Sequence, residues 1–146
     1  SEVLEAFGLA YSASHTEFIK CHEDGKFYFL ETSSRVGGAH LAEMLEIATG
    51  INLWAEWARL EDAVAKKQPY RLPKVKKDYA GIITSLARQQ HPDYGVFNDP
   101  EVAWTMDKDY HVSVIVKSPK RERVLELLDK YAHIIKEQFH AVLPMD

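Results

Sequence analysis

One stretch, His15 to Gly38 (HTEFIKCHEDGKFYFLETSSRVGG), constrains the fold more than any other part of the chain. β-branched and aromatic residues flank Glu23-Asp24-Gly25, a cluster with turn chemistry, so the stretch predicts a β-hairpin. With Glu23-Asp24-Gly25 as the loop and Gly25 in the left-handed region, His22 pairs with Lys26. Counting outward, Cys21 meets Phe27, Ile19 meets Phe29, Glu17 meets Glu31 and His15 meets Ser33. Side chains alternate along a strand, so these pairs share one face. That face is apolar near the loop and carries His15, Glu17, Glu31, Ser33 and Arg35 at its far end.

Two carboxylates directly opposite each other repel. The pair is tolerated if it is well solvated, if one member is protonated, or if a cation bridges it. Mg²⁺ typically takes one or two carboxylates together with substrate phosphates. Turn-defined registers slip, so the pairing alone leaves a solvated face and a metal site both open.

The wording around this pair resembles the C-terminal part of an ATP-grasp domain. The residues that carry the resemblance are Glu17 in His-Thr-Glu-Phe, then Phe-Leu-Glu31-Thr-Ser33-Ser-Arg35-Val-Gly37-Gly38, then a helix ending in Thr-Gly50-Ile-Asn52-Leu. The resemblance is clear over Phe7 to about Leu60 and looser beyond. It implies that Glu17 and Glu31 hold Mg²⁺ (or Mn²⁺) against the phosphates of ATP, and that Arg35 contacts phosphate or the activated carboxylate. Many ATP-grasp enzymes carry Asn two residues after the second Glu as a third metal ligand, whereas here it is Ser33, a weaker ligand. Glu-Thr-Ser-Ser-Arg is similar to the bacterial L-amino-acid ligases, which also lack that Asn. The biotin-carboxylase and carbamoyl-phosphate-synthase branch is an alternative, disfavoured because Gly37-Gly38 replaces the basic and Gln/Glu residues that follow the Arg there.

The two glycines before the next helix would let backbone amides face an anion. A plain turn is the simpler reading of Gly-Gly, but its place after Glu31 and Arg35 favours a cradle for a phosphoryl or oxyanion group. The expected roles are therefore metal ligation by Glu17, Glu31 and Ser33, and nucleotide binding by Glu31, Arg35, Gly37 and Gly38. Arg35 and Gly38 are the expected catalytic groups. His15, two residues from Glu17, is a candidate substrate contact, although a hydrogen bond to a carboxylate is the simpler role.

The 146 residues suit one compact domain or two small lobes. A formal net charge of −4 leaves no basic footprint, which argues against a nucleic-acid partner. No apolar run approaches the roughly 20 residues that span a bilayer, and no secretory signal pattern is present. The single cysteine, Cys21, is expected as a buried, inert thiol. A cytoplasmic enzyme is expected, with ATP and small carboxylate and amine substrates as partners and a homodimer compatible with it.

Glu2 to Phe7 reads as one helix turn stopped by Gly8. The resemblance implies a preceding nucleotide-clamping lobe and an N-terminal α/β domain, and neither a P-loop nor a GxGxxG is present. The chain is thus expected to be the C-terminal fragment of a larger ligase, inactive alone, with Ser1 an added residue.

Along the chain, Phe7–Lys20 is expected as the first strand, loosened early by small residues. A helix follows over about 39–49, with Leu41, Met44, Leu45 and Ala48 at helical spacing and Gly50 as its stop. Asn52 caps a second helix to about Lys67. Its expected buried stripe is Leu53, Trp57, Leu60 and Val64, with Glu56, Arg59, Glu61 and Asp62 facing solvent. Trp54 lies off the stripe, where it is expected to cover a neighbouring element. Residues 68–77 form a connector. Strands are expected within Asp78–Gln90, over Val102–Met106 and over His111–Val116, with a turn at His91–Gly95. A last helix opens at Ser118-Pro119 and runs to about Phe139. Its inner face is Val124, Leu127, Leu128, Tyr131, Ile134 and Ile135. The other histidines noted (His22, His91, His111, His133, His140) lack metal-ligand spacing and receive no role.

The expected fold is α+β, a mostly antiparallel sheet of about four to six strands with flanking helices. It divides into residues 1–67, the C-terminal part of an ATP-grasp catalytic lobe, and 68–146, an α+β lobe packed on it. The expected function is an ATP- and Mg-dependent carboxylate–amine ligase working through an acyl phosphate and forming ADP. A non-catalytic binding module derived from such an enzyme is the rival, and apolar exposure at Trp54 or at Val142-Leu143 would support it.

Overall fold

The computed structural model describes residues 2–141, so Val142 and Leu143 lie outside the described residues. Among the described residues, four α-helices, one short 3-10 helix and five strands make an α+β arrangement with every strand pair antiparallel. The strands form two sheets instead of the single sheet expected. One holds two strands and the other three. The chain divides into two compact units, residues up to 43 with 51–74, and 44–50 with 75 onward.

The first unit opens with α1 (Glu2–Ala6), stopped at Gly8 with φ +67°. The chain then runs without regular structure to β1 (His15–Lys20), so the expected strand is shortened to its second half. The small residues Gly8, Ala10, Ser12, Ala13 and Ser14 contribute little strand propensity. β1 pairs with β2 (Phe27–Ser33). Later in the unit comes α3 (Leu53–Ala65), opened by the Asn52 side chain accepting from the Ala55 amide at 2.9 Å.

Glu56 corrects the expected solvent face of α3, because it is buried. Its carboxylate accepts from the Tyr70 hydroxyl at 2.8 Å and pairs with Arg59, which satisfies a charge that could not otherwise be buried. Val64, expected inside, is 39% exposed. Trp54 stacks on Trp57 with ring centroids 6.3 Å apart and stays largely in water, so within this unit it covers its own helix neighbour.

The second unit is a three-stranded sheet in the order β3 (Tyr79–Leu86), β5 (His111–Ser118), β4 (Val102–Thr105), with α4 (Arg121–Gln138) laid against it. The central strand β5 is fully buried from Val112 to Val116, so both of its faces are covered. Val112, Val114 and Val116 meet Val124, Leu127, Tyr131 and Ile135 of α4 in one core, closed at its end by Phe97 and Phe139. Phe97 stands edge-on to Tyr131 with centroids 5.0 Å apart. The expected inner face of α4 is the observed one. Its start is two residues later than expected: Ser118 ends β5, and its hydroxyl accepts from the Lys120 amide at 3.2 Å.

Helix α2 (Leu41–Thr49) ends at Gly50, φ +77°, whose amide closes on Glu46. It begins two residues after the expected start. Ala39 and His40 both adopt left-handed backbone angles, φ +50° and +62°, and the Leu41 amide closes a turn on the Gly38 carbonyl. The strained positions are thus these two non-glycine residues, not Gly37 and Gly38. Among the described residues, no helix is long and apolar enough to cross a membrane.

Candidate functional site

The hairpin places Glu17 directly opposite Glu31, and His15 opposite Ser33, as the sequence predicts. It reaches that register by a different path. The loop spans four residues, His22 to Gly25, with the Cys21 amide bonded to the Lys26 carbonyl, so Cys21 and not His22 closes it. From there Lys20 pairs with Phe27, Ile19 with Tyr28 and Phe18 with Phe29, each one residue out from expectation. A β-bulge between Glu17 and Phe18, with Leu30 as the extra residue, then restores the offset.

Directly opposite residues share a face. The loop half of the carboxylate face therefore carries Ile19 and Tyr28. Phe27 and Phe29 move to the other face, where Phe29 meets Phe18 edge-on at 6.0 Å. Asp24 fixes the loop by accepting from the Lys26 amide at 2.9 Å and from the Tyr28 hydroxyl at 2.8 Å. The first of these bonds, helped by the second, holds its carboxyl below the ordinary carboxylate range. Cys21 is half-buried and free rather than enclosed.

The remaining site residues gather at the far end of the hairpin. His15 Nε2 lies 3.7 Å from Glu17 Oε1, so the imidazole faces the carboxylate. A Cβ built on Gly37 would meet His15 Cδ2 at 3.5 Å, and one on Gly38 would meet Arg35 Nη1 at 3.7 Å. Arg35 donates from Nη1 to the Val36 carbonyl at 3.1 Å, which turns its guanidinium back over the loop. Val36 is buried and anchors the segment. Register and contact thus bring His15, Glu17, Glu31, Ser33 and Gly37 together on one unit, Arg35 lies beside Gly38 in the following loop, and Glu31 and Arg35 are exposed.

Three contacts around this group were not anticipated from the sequence. Thr16 and Thr32 hydroxyls bond at 2.9 Å across the face behind the carboxylates. Ser12 and Ser34 hydroxyls bond at 2.7 Å, tying the segment before β1 to the loop before Arg35. His40 Nδ1 sits 3.4 Å from Glu43 Oε1. The Ser/Thr content of residues 12–16 and 32–34 was the visible signal for the first two.

Among the described residues, no three His, Cys, Asp or Glu side chains gather where one cation could be shared. Two opposed carboxylates are the donor set that Mg²⁺ uses when phosphate oxygens and water supply its other ligands. The residues present fit a metal brought with a nucleotide and do not form a cage for a metal held by protein alone.

No family model matches the chain, and no curated protein matches it. Among solved structures it is similar to phosphoribosylglycinamide synthetase from Anaerococcus prevotii, an ATP-grasp enzyme, with a TM-score of 0.54 at 18% identity. That likeness covers 98% of this chain and 40% of the synthetase, so the chain spans less than half of its neighbour's length. At this identity the likeness speaks for the fold. The chain shares the fold of that part of the synthetase, with the opposed carboxylates on its hairpin.

Proposed function

We propose that this chain is the part of an ATP-dependent carboxylate–amine ligase that holds the phosphates and the activated carboxylate. The observation that carries the reading is the Glu17–Glu31 pair, opposed across β1 and β2 with His15, Arg35 and Gly37-Gly38 beside it, in a chain with an ATP-grasp fold.

In the proposed reaction a substrate carboxylate oxygen attacks the terminal phosphorus of ATP, breaking the bond to ADP. An amine nitrogen then attacks the acyl carbon, releases phosphate and loses a proton. Such phosphoryl transfer is mainly a matter of positioning and charge neutralisation. Glu17 and Glu31 would hold Mg²⁺ (or Mn²⁺), with Ser33 a weaker third ligand, and the ion would neutralise charge on the phosphate oxygens. His15 faces Glu17 from 3.7 Å and would border the space where substrate lies. Arg35 keeps donors beyond its bond to Val36, and its planar fork suits phosphate or carboxylate oxygens. The Gly37 and Gly38 amides would stabilise negative charge as it develops on the reacting acyl group.

The work expected of this chain is binding and electrostatic, and without a nucleotide-clamping lobe it should be silent alone. The reading is tested with the complete product of the gene, supplied with Mg²⁺ and ATP and screened for ADP release against amino acids singly and in pairs. Amino-acid-dependent ADP formation supports a ligase. A folded protein that neither binds Mg-ATP nor releases ADP favours a non-catalytic binding module on the same fold.

A further inference from the structure

A cleft of about 160 Å³ lies within the first unit, beside α3. Its apolar walls are Leu53, Trp57 and Leu60 of the helix, Leu72 from the stretch that follows it, and Ala13 from the segment before β1. Leu72 is 57% exposed, so the cleft is open to solvent there. The polar groups that line it are already engaged. Glu56 is buried, pairs with Arg59 and accepts from the Tyr70 hydroxyl at 2.8 Å. The Ser12 hydroxyl donates to the Ala13 carbonyl at 2.7 Å, so in its 2.7 Å bond with Ser34 it is the acceptor. The one buried charge is thus matched by a guanidinium, and a charged ligand would lose its hydration here without gaining a free partner. An apolar group gains the walls. An apolar cavity of about 150 Å³ admits one benzene ring, so this cleft suits a group between a leucine and a phenylalanine side chain in size.

Two short links join the cleft to the candidate site. Ser34, whose hydroxyl bonds to Ser12 in the cleft, immediately precedes Arg35. Ala13 precedes His15 by two residues, a span of at most about 7 Å in extended chain. We propose that the cleft receives the side chain of the carboxylate substrate, which makes the ligase selective for amino acids with apolar side chains of leucine to phenylalanine size. The inference rests on the ligase reading above and adds to it which amino acid is activated. The substrate carboxylate lies towards Arg35 and its side chain towards Trp57. Glu56, already neutralised, sets the cleft against lysine and glutamate, whose charges would be buried unpaired.

The test uses the complete product of the gene and two readouts. ADP release with Mg²⁺ and ATP is followed across glycine, L-alanine, L-leucine, L-phenylalanine, L-lysine and L-glutamate, with hydroxylamine as the amine throughout. Binding of L-leucine is titrated calorimetrically with Mg²⁺ and ADP present. One methylene in an apolar pocket is worth roughly tenfold or more. We therefore expect kcat/KM for L-leucine to exceed that for glycine by about a hundredfold or more, with L-lysine and L-glutamate near glycine. Leu72→Phe narrows the cleft and should weaken L-leucine by about tenfold in kcat/KM and in Kd, while sparing L-alanine and the KM for ATP. Leu72→Ala widens it and should move the preference towards L-phenylalanine. Should one variant melt below the parent, the other decides. Amino-acid-dependent ADP release that shows no preference for apolar side chains, or a preference unmoved in the folded variants, overturns the cleft assignment and leaves the ligase reading standing. L-Leucine binding that Leu72→Phe weakens, without ADP release for any amino acid, overturns the ligase reading and with it the ligand's role as substrate. Absence of both signals overturns the two together.

Discussion

Glu17 and Glu31 face each other across the hairpin because two one-residue displacements cancel, a loop one residue longer than the turn chemistry implies and a bulge at Leu30. The bulge sits immediately beside the carboxylate pair, which is where bulges re-aim side chains next to functional sites. The same bulge separates a polar, partly buried end carrying the candidate ligands from an apolar, exposed end.

Gly37 and Gly38 separate a structural from a functional need for glycine. Neither has a left-handed φ, and a Cβ at either would meet only ordinary contacts at 3.4 Å or beyond. Gly38→Ala should therefore change stability by no more than about 0.5 kcal/mol. It should nevertheless depress ADP formation by the complete gene product, because the methyl group occupies the approach to the amides. Parallel thermal melts and kinetics check this, and unchanged turnover would make the Gly-Gly segment a plain turn.

Ala39 and His40 carry the strain that the glycines do not. A non-glycine residue in the left-handed region costs about 1–2 kcal/mol, part of which a glycine returns as unfolded-chain entropy. Ala39→Gly or His40→Gly should raise stability by roughly 0.5–1 kcal/mol. Denaturant unfolding of the single variants measures the gain, and a loss at both positions would contradict the backbone assignment.

Gly81 on β3 is the opposite case. A Cβ there would lie 2.6 Å from Leu128 Cδ1 and 3.0 Å from Val124 Cγ1, so α4 packs against bare backbone. Gly81→Ala should destabilise by about 1–3 kcal/mol through overpacking. Leu128→Ala in the same chain should recover part of that loss, a coupling that a double-mutant cycle reads.

Asp99 and Tyr131 bracket the pH range of the second unit. The Lys130 ammonium, with the Tyr131 hydroxyl, holds the Asp99 carboxyl below its usual range. That contribution is complete above about pH 4 and fades as pH falls through the depressed native value. Burial, with Asp99 beside it, pushes the Tyr131 hydroxyl up to about 12. That contribution is complete below about pH 10 and fades as pH rises towards the native value. Thermal melts against pH, followed through Trp104 in a Trp54→Phe, Trp57→Phe background, should lose part of their acid slope in Asp99→Asn and part of their alkaline slope in Tyr131→Phe. Slopes identical to the parent in both variants would contradict this assignment.

Much of this was legible in the sequence where one local pattern decides the outcome. Alternation marked β4, the runs within Asp78–Gln90 and over His111–Val116 gave β3 and β5, helical spacing gave the inner face of α4, and Asn52 announced the start of α3. Features set by contacts at a distance were not legible. Glu56 is buried because Tyr70, 14 residues later in a stretch without regular structure, donates to it. The bulge at Leu30 belongs to the pairing of two strands and to neither alone. The expected single sheet became two because backbone pairing, which periodicity does not encode, joins β3 only to β5.

The most direct test of the central claim is ADP release by the complete gene product with Mg²⁺, ATP and its best amino-acid pair, compared with its Glu31→Gln variant. Glu31 is exposed and makes no core contact, so the variant should melt with the parent while its ADP release falls by about 10²-fold or more, as for loss of a group that stabilises transition-state charge. Turnover near the parent's rate in a folded Glu31→Gln protein would contradict the account and leave the opposed carboxylates a solvated strand face.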